Sequence, residues 1–351
     1  MVAAPEVDPS WPDLLTRLLA DTDLTAAQTG WAMDRIMSGE ATPAQLAGFA
    51  VALRAKGETA EEISGLAQSM LAHSVPVHVP GRAVDIVGTG GDRSNTVNIS
   101  TMSAIVAAAA GATVVKHGGR SASSKCGAAD LLEGLGVPIR LGPEAVATTV
   151  AEVGIGFCFA QTYHPAMRFA GPARRELGIP TFFNVLGPLT NPARPAASTI
   201  GCGDAALAPV IAGVFAGRGA DVLVFRGNEG LNELTTTTTS SVWVVSDGNV
   251  TTASVDPSRL GLARADPAAL VGGDVAFNVA VARRLFDGGR GAVQDAVMLN
   301  SAAALAAHAG FTANLDDDLT GGLDRAREAL ESGAAAALLA RWVEVGNALA
   351  G

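Results

Sequence analysis

At 351 residues, 48% of them apolar and 41 of them glycine, the chain is too long for one ordinary core and too apolar for disorder, so two subdomains or one large α/β domain with a helical attachment are expected. Its 24 basic and 34 acidic residues leave a formal charge of -10, which repels phosphate backbones and argues against nucleic-acid binding; any anion site has to be local. The three cysteines, Cys126, Cys158 and Cys202, are an odd count with no CxxC spacing, so neither a disulfide framework nor a structural zinc site is implied, and a reducing cytoplasm fits.

The chain opens with acidic residues and no basic segment ahead of an apolar one, so no secretory signal is expected. Up to about residue 70, three capping boxes pair Thr25 with Gln28, Thr42 with Gln45 (with Pro43 at the first helical position) and Thr59 with Glu62. They predict a small helical bundle, with Trp31, Ile36, Leu46, Phe49, Leu53, Ile63, Leu66 and Leu71 at helical spacing as its core. Beyond it, short apolar strands over residues 84–87, 113–115, 156–159 and 222–225 end in Gly-rich turns and alternate with helices. That order predicts a mostly parallel sheet with its ligand site beyond the carboxyl ends of the strands. Residues 102–115 form the longest small-apolar run, which is too short for a bilayer and is broken by Gly111, so it reads as a buried helix and then a strand, with no membrane contact. From Asp274 onward, helical scaffold is expected over 276–285, 293–307 and 323–349.

Two constellations carry chemistry. In the first, Asp85-Ile86-Val87-Gly88-Thr89-Gly90-Gly91-Asp92 leads through Thr96 to Asn98-Ile99-Ser100-Thr101 at the start of a helix. Glycines admit an oxyanion close to the backbone, and exposed N–H groups at a helix start attract it. The spacing matches neither the dinucleotide fingerprint nor the P-loop, and an ordinary strand-to-helix turn explains it equally well. The second, Lys116-His117-Gly118-Gly119-Arg120-Ser121-Ala122-Ser123-Ser124-Lys125-Cys126-Gly127, places two of the chain's three lysines in one Gly/Ser-rich loop between a strand and the helix Ala128–Leu135. A solvated loop accounts for the charges but not for the glycines and serines; the pattern points to anion binding.

These segments resemble the anthranilate phosphoribosyltransferase family, whose hallmarks include GTGGD, NIST, KHGNR followed by SSKSG, and a later DGLDE. The likeness takes in His164-Pro165-Ala166-Met167, Arg174-Arg175-Glu176-Leu177-Gly178 and the segment 183–192, and covers nearly the whole chain. It implies a nucleoside phosphorylase/phosphoribosyltransferase-like α/β fold. A small N-terminal helical domain (1–79 with about 165–190) would join a larger α/β domain (80–164 and 191–351) with a mostly parallel central sheet. It implies transfer of phosphoribose from 5-phosphoribosyl 1-diphosphate to anthranilate in tryptophan biosynthesis, a requirement for Mg2+, a homodimer, and a cytoplasmic location.

By position, Gly88, Gly91, Asp92, Thr96, Asn98, Ile99, Ser100, Thr101, Lys116, His117, Gly118, Gly119, Arg120, Ser123, Ser124 and Ala128 would line the donor site. Gly88, Gly119, Tyr163, His164 and Arg174 would meet the acceptor. Ser100, Asn232 and Glu233 would hold the metal, and Lys116 and Arg174 are the expected catalytic pair. Arg174 suits a carboxylate because its planar fork can pair in bidentate fashion.

Four motifs depart from the family pattern, at five positions: Gly119 replaces asparagine, Gln161 stands in place of proline, Glu229 and Asn232 alter DGLDE, and Cys126 replaces a serine. Magnesium prefers charged oxygen ligands, so Asn232 is expected to weaken its binding. Two acceptors stay open, anthranilate or another aromatic acid. A pyrimidine nucleoside phosphorylase, a noncatalytic nucleic-acid-binding relative and a dinucleotide-dependent oxidoreductase are the rival classes; the complete motif set and the charge of -10 speak against them.

Overall fold

The computed structural model describes residues 9–92, 94–121 and 125–351. Two compact units divide the chain: one runs to Ser74 and takes in His164–Thr190, the other consists of Val75–Tyr163 and Asn191–Gly351.

The smaller unit contains α1 (Trp11–Leu19), α2 (Ala26–Met37), α3 (Pro43–Lys56) and α4 (Ala60–Ala72). All three capping boxes form: each threonine hydroxyl accepts the backbone N–H three residues on, and the Gln or Glu returns a bond to the threonine N–H. Glu62 does more than cap α4. Its fully buried carboxylate also accepts Leu24 N–H at 2.9 Å and pairs with Lys56 Nζ at 3.0 Å. Gly65 lets α4 cross α2 closely, for a Cβ there would fall 2.1 Å from Ala26 O.

In the larger unit, β1 (Val84–Gly88), α5 (Ile99–Ala109), β2 (Val114–Gly118), α6 (Ala128–Leu135), α7 (Pro143–Val153), β3 (Ile155–Phe159) and α8 (Ala160–Tyr163) follow one another. The short helices α9 (Gly171–Leu177) and α10 (Phe183–Leu189) belong to the smaller unit. The chain then forms β4 (Ala197–Gly201), α11 (Leu207–Arg218), β5 (Asp221–Gly227), β6 (Ser240–Ser246), β7 (Asn249–Val255), α12 (Val275–Phe286), α13 (Ala292–Ala309), α14 (Leu315–Glu331) and α15 (Ala334–Ala350).

The sheet order is β3-β2-β1-β4-β5-β6-β7, parallel from β3 to β5, with an antiparallel β6–β7 hairpin at one edge. The central strands are buried without alternation because both faces are covered; α5 and α13 share the main core with them. Between β1 and β4 the strand order reverses. There the following loops leave in opposite directions and open a crevice at the carboxyl ends, where Gly88 pairs with Gly201.

Three expectations need correction. Residues 75–79 belong to the α/β unit, because Val75 N donates to Tyr163 O, Val77 N donates to Pro192 O, and Val77 packs in a core with Val115 and Cys158. The α/β unit stops at Tyr163, and His164 groups with the smaller unit. The helix expected over 323–349 is two helices, broken at Ser332–Gly333, where Gly333 takes φ 78.

Candidate active site

The turn after β1 reaches the crevice through Gly90 and Gly91, both at positive φ (71 and 81), and Thr89 N donates to Gly201 O at 2.8 Å. Asp92 shapes this turn, accepting Ser94 N–H at Oδ1 and Asn232 N–H at Oδ2, each at 3.1 Å. Asn98 begins α5, but its side chain serves its neighbours: Nδ2 donates to Cys126 O of the loop before α6 at 3.0 Å and Oδ1 accepts Asn278 Nδ2 of α12 at 2.9 Å. Ile99 and Thr101 are each 1% exposed, so their side chains lie in the interior, while Ser100 between them stays half-buried at the edge. Thr96 bridges to Val271, and Gly88 packs beside Asn232.

The cation stands in β2 itself and not in the loop after it, where the sequence pattern places it. Lys116 is 2% exposed; its Nζ donates to Ile86 O and reaches Ser100 Oγ at 3.5 Å. Burial pulls its pKa down to about 8, against the opposing fields of Asp85 and Glu233. Asp85, wholly buried in β1, is pushed up to about 6 by burial, although it accepts His117 N–H at 3.1 Å and Asn191 Nδ2 at 2.9 Å. Asn191 also donates to Val115 O at 2.8 Å, so this pair ties β1 to β2 directly beneath the turn. Neither residue stood among the expected site residues. The signal was present, since an ionisable residue inside an apolar strand calls for a partner.

Several donor-site expectations change in detail. His117 is 3% exposed, so its ring sits in the interior. Arg120 turns its guanidinium onto Asp130 (2.5 Å) and Glu133 (2.9 Å) of α6, and these bonds raise its pKa. Its fork is engaged by carboxylates and not turned toward the glycine turns. Gly118 and Ala128 pack together, and Ala129 N donates to Gly119 O at 3.2 Å, which seats α6 on the turn. Ser123 and Ser124 lie outside the described residues.

The metal residues divide. Glu233 Oε2 is buried without a hydrogen-bond partner, and although the residue as a whole keeps some exposed surface, its carboxylate end is enclosed. Burial and the negative charges of Asp92 and Glu229 push its pKa up to about 8; only Lys116 pulls it down. An enclosed carboxylate in a negative field suits a divalent cation, and Ser100 adds a hydroxyl oxygen. Asn232 does not fit: its Oδ1 already accepts Gly203 N–H at 2.8 Å and Thr89 Oγ1 at 3.2 Å, which occupies both lone pairs. Glu229 is likewise engaged by the hydroxyls of Thr235 and Thr237. Among the described residues no three His, Cys, Asp or Glu side chains form a metal cage, so waters and substrate oxygens would complete the magnesium shell.

Of the expected acceptor residues, Tyr163 is 0% exposed and its hydroxyl donates to Leu141 O at 2.9 Å, so it is a core residue and not a contact. His164, 3% exposed, donates from Nε2 to Thr190 O at 2.9 Å, and burial drives its pKa down to about 4; it is a neutral structural pin. Arg174 lies over the Phe183 ring at 4.9 Å, has its pKa lowered by burial, and forms no ion pair among the described residues. A half-buried guanidinium of this kind is ready for an external carboxylate.

Comparison with known proteins bears on the family and the fold. Residues 80–336 match the model of the glycosyl transferase family a/b domain, and residues 12–74 match that of the glycosyl transferase family helical bundle domain. The chain is 61% identical over 334 residues to the anthranilate phosphoribosyltransferase of Nocardioides sp., covering 95% of this chain and 98% of that protein. With the Thermobifida fusca protein of the same name the identity is 59%, covering 97% and 98%. Among solved structures, the Thermus thermophilus anthranilate phosphoribosyltransferase superposes with a TM-score of 0.89 at 40% identity, covering 95% of this chain and 99% of that one. The Saccharomyces cerevisiae enzyme in complex with PRPP and Mg gives 0.87 at 27% identity, covering 96% and 98%.

Proposed function

The chain belongs to the anthranilate phosphoribosyltransferase family, and from that premise we propose that it transfers phosphoribose from 5-phosphoribosyl 1-diphosphate to the amino group of anthranilate, releasing pyrophosphate, in tryptophan biosynthesis. The observation that carries this reading is Glu233 Oε2, buried without a hydrogen-bond partner in the negative field of Asp92 and Glu229, beside the crevice where the glycine turns meet. A magnesium ion bound there would supply positive charge for the departing pyrophosphate.

The chain's own groups do the rest. The glycine turns admit the diphosphate close to the backbone, and Lys116 adds a fixed positive field from below Ser100. In the reaction the acceptor nitrogen forms its bond to the anomeric carbon as the bond to the pyrophosphate oxygen breaks. The transition state is oxocarbenium-like, and the amine then gives its proton to water. An aromatic amine is neutral near pH 7, so no side-chain base is required; holding the two substrates together supplies several kcal/mol. His164, neutral and already bonded to Thr190 O, is not called on as a base. Arg174 is assigned to the acceptor's carboxylate, and Glu233 with Ser100 to the metal.

A second acceptor stays in view because Gly119 has no side chain and Gln161 lies beside it. A homodimer is also proposed, supported by Leu19 (81% exposed) and Val51 (41% exposed) on the helical unit. A cytoplasmic location fits the three buried free cysteines. Among the described residues no helix is long and apolar enough to cross a membrane.

The test is pyrophosphate release from phosphoribosyl diphosphate and magnesium, with anthranilate and then with ring-substituted aminobenzoates and hydroxybenzoates. Robust turnover with anthranilate is expected. Release only with another acid would replace the acceptor, and no release with any acid would remove the transfer reading.

A further inference from the structure

Gly119 and Gln161 follow the carboxyl ends of neighbouring parallel strands, whose terminal residues Gly118 and Phe159 are register partners. A Cβ built on Gly119 would lie 3.7 Å from Ala160 Cβ and 3.8 Å from Gln161 Oε1. The carboxamide of Gln161 therefore stands beside the space into which a side chain at position 119 would project. Gln161 is exposed, and its amide makes no hydrogen bond to the protein among the described residues. Tyr163, two residues later, is sealed in the core with its hydroxyl bonded to Leu141 O. Gln161, not Tyr163, is thus the residue of this segment that can offer polar atoms to a ligand above β2 and β3.

We propose that Gln161 is a specificity-determining residue for the acceptor, its carboxamide hydrogen-bonding the adjacent amino and carboxylate groups of a 2-aminobenzoate in the space left open by Gly119. The inference rests on the transfer reading above. A carboxamide presents one accepting oxygen and one NH2 donor, which match an ortho amino group that donates and a carboxylate that accepts. The location suits this role, because the acceptor has to approach the anomeric carbon beyond the strand ends that carry Lys116 and the glycine turns. Glycine at 119 is part of the arrangement: an asparagine there would crowd a second carboxamide against the first.

The test is steady-state kinetics of the full chain, varying anthranilate at saturating phosphoribosyl diphosphate and magnesium, for Gln161→Ala, Gly119→Asn and the double variant. Gln161→Ala is expected to raise the acceptor KM roughly tenfold, the size of one or two lost hydrogen bonds, and to leave the donor KM within about twofold. Gly119→Asn alone also raises the acceptor KM, through crowding. The double variant returns to within about threefold of wild type, because the new amide enters the vacated space; such non-additivity is not produced by general damage to the fold. An unchanged acceptor KM in Gln161→Ala, or a double variant no better than the worse single one, overturns this inference and leaves the transfer reading intact. A wild-type chain inactive with every aminobenzoate overturns both.

Discussion

Lys116 is a cation held in a place that disfavours charge: it is 2% exposed, with a carbonyl and a hydroxyl as hydrogen-bond partners and a pKa pulled down to about 8. Replacing it by methionine keeps its shape and removes the charge. Lys116→Met should lower turnover by roughly two orders of magnitude, as expected for one preorganised electrostatic donor, with no loss of melting temperature. A rate within threefold of wild type, measured by pyrophosphate release, would remove Lys116 from the machinery. His164 supports a pH prediction. Its folded pKa of about 4 lies below the ordinary value of 6.5, so its contribution to stability is fully present above pH 6.5 and is lost as pH falls toward 4. Between pH 7.5 and 5 the loss should be about 2 kcal/mol. Asp85 and Glu233, both pushed up, act in the opposite sense, so the comparison has to be made against His164→Asn, whose urea midpoint should fall less over the same interval. Equal slopes would show that His164 is not the group responsible.

Elements are joined by residues whose local signal reports only part of their work. Glu62 was legible as the third residue of a capping box, and the cap forms; that it also neutralises Lys56 and accepts Leu24 N–H depends on contacts across 38 positions and was not legible. Glu62→Gln keeps a carbonyl oxygen for the cap but leaves Lys56 with the exposed Asp23 at 2.6 Å as its anionic partner, beside Gly57 O at 2.8 Å. It should destabilise the chain by about 3 kcal/mol, and adding Lys56→Met should recover most of that, as for buried pairs in general. A change under about 0.5 kcal/mol by urea unfolding would mean the ion pair is screened. In the α/β unit, the strands that carry the glycine turns could be read from their apolar runs. β7 could not, because it is almost wholly exposed; β6 buries Val242 and Val245 and its apolar run went unread beside the threonine run.

For the whole molecule, the consequence to test is linkage between ligand and fold. If the donor site assembles as proposed, phosphoribosyl diphosphate with magnesium at 100 times its dissociation constant should stabilise the protein by about 2.7 kcal/mol, raising its melting temperature by roughly 5 °C. A chelator should abolish the shift. No shift with the saturating pair in a thermal scan would place the ligand elsewhere.

The sequence by itself determined the two-part architecture, the three helix starts and four of the five parallel strands, β4 being the one it missed. Those features depend on local backbone preference and periodicity, which a linear string records. Tertiary structure alone decided which polar atoms remain free. It spent Asn232 Oδ1 on Gly203 and Thr89, Tyr163 on Leu141 and Arg120 on α6, while leaving Glu233 Oε2 and the amide of Gln161 available. The physical reason is that each lone pair or N–H is satisfied once, and its partner is chosen by proximity in space among groups far apart along the chain.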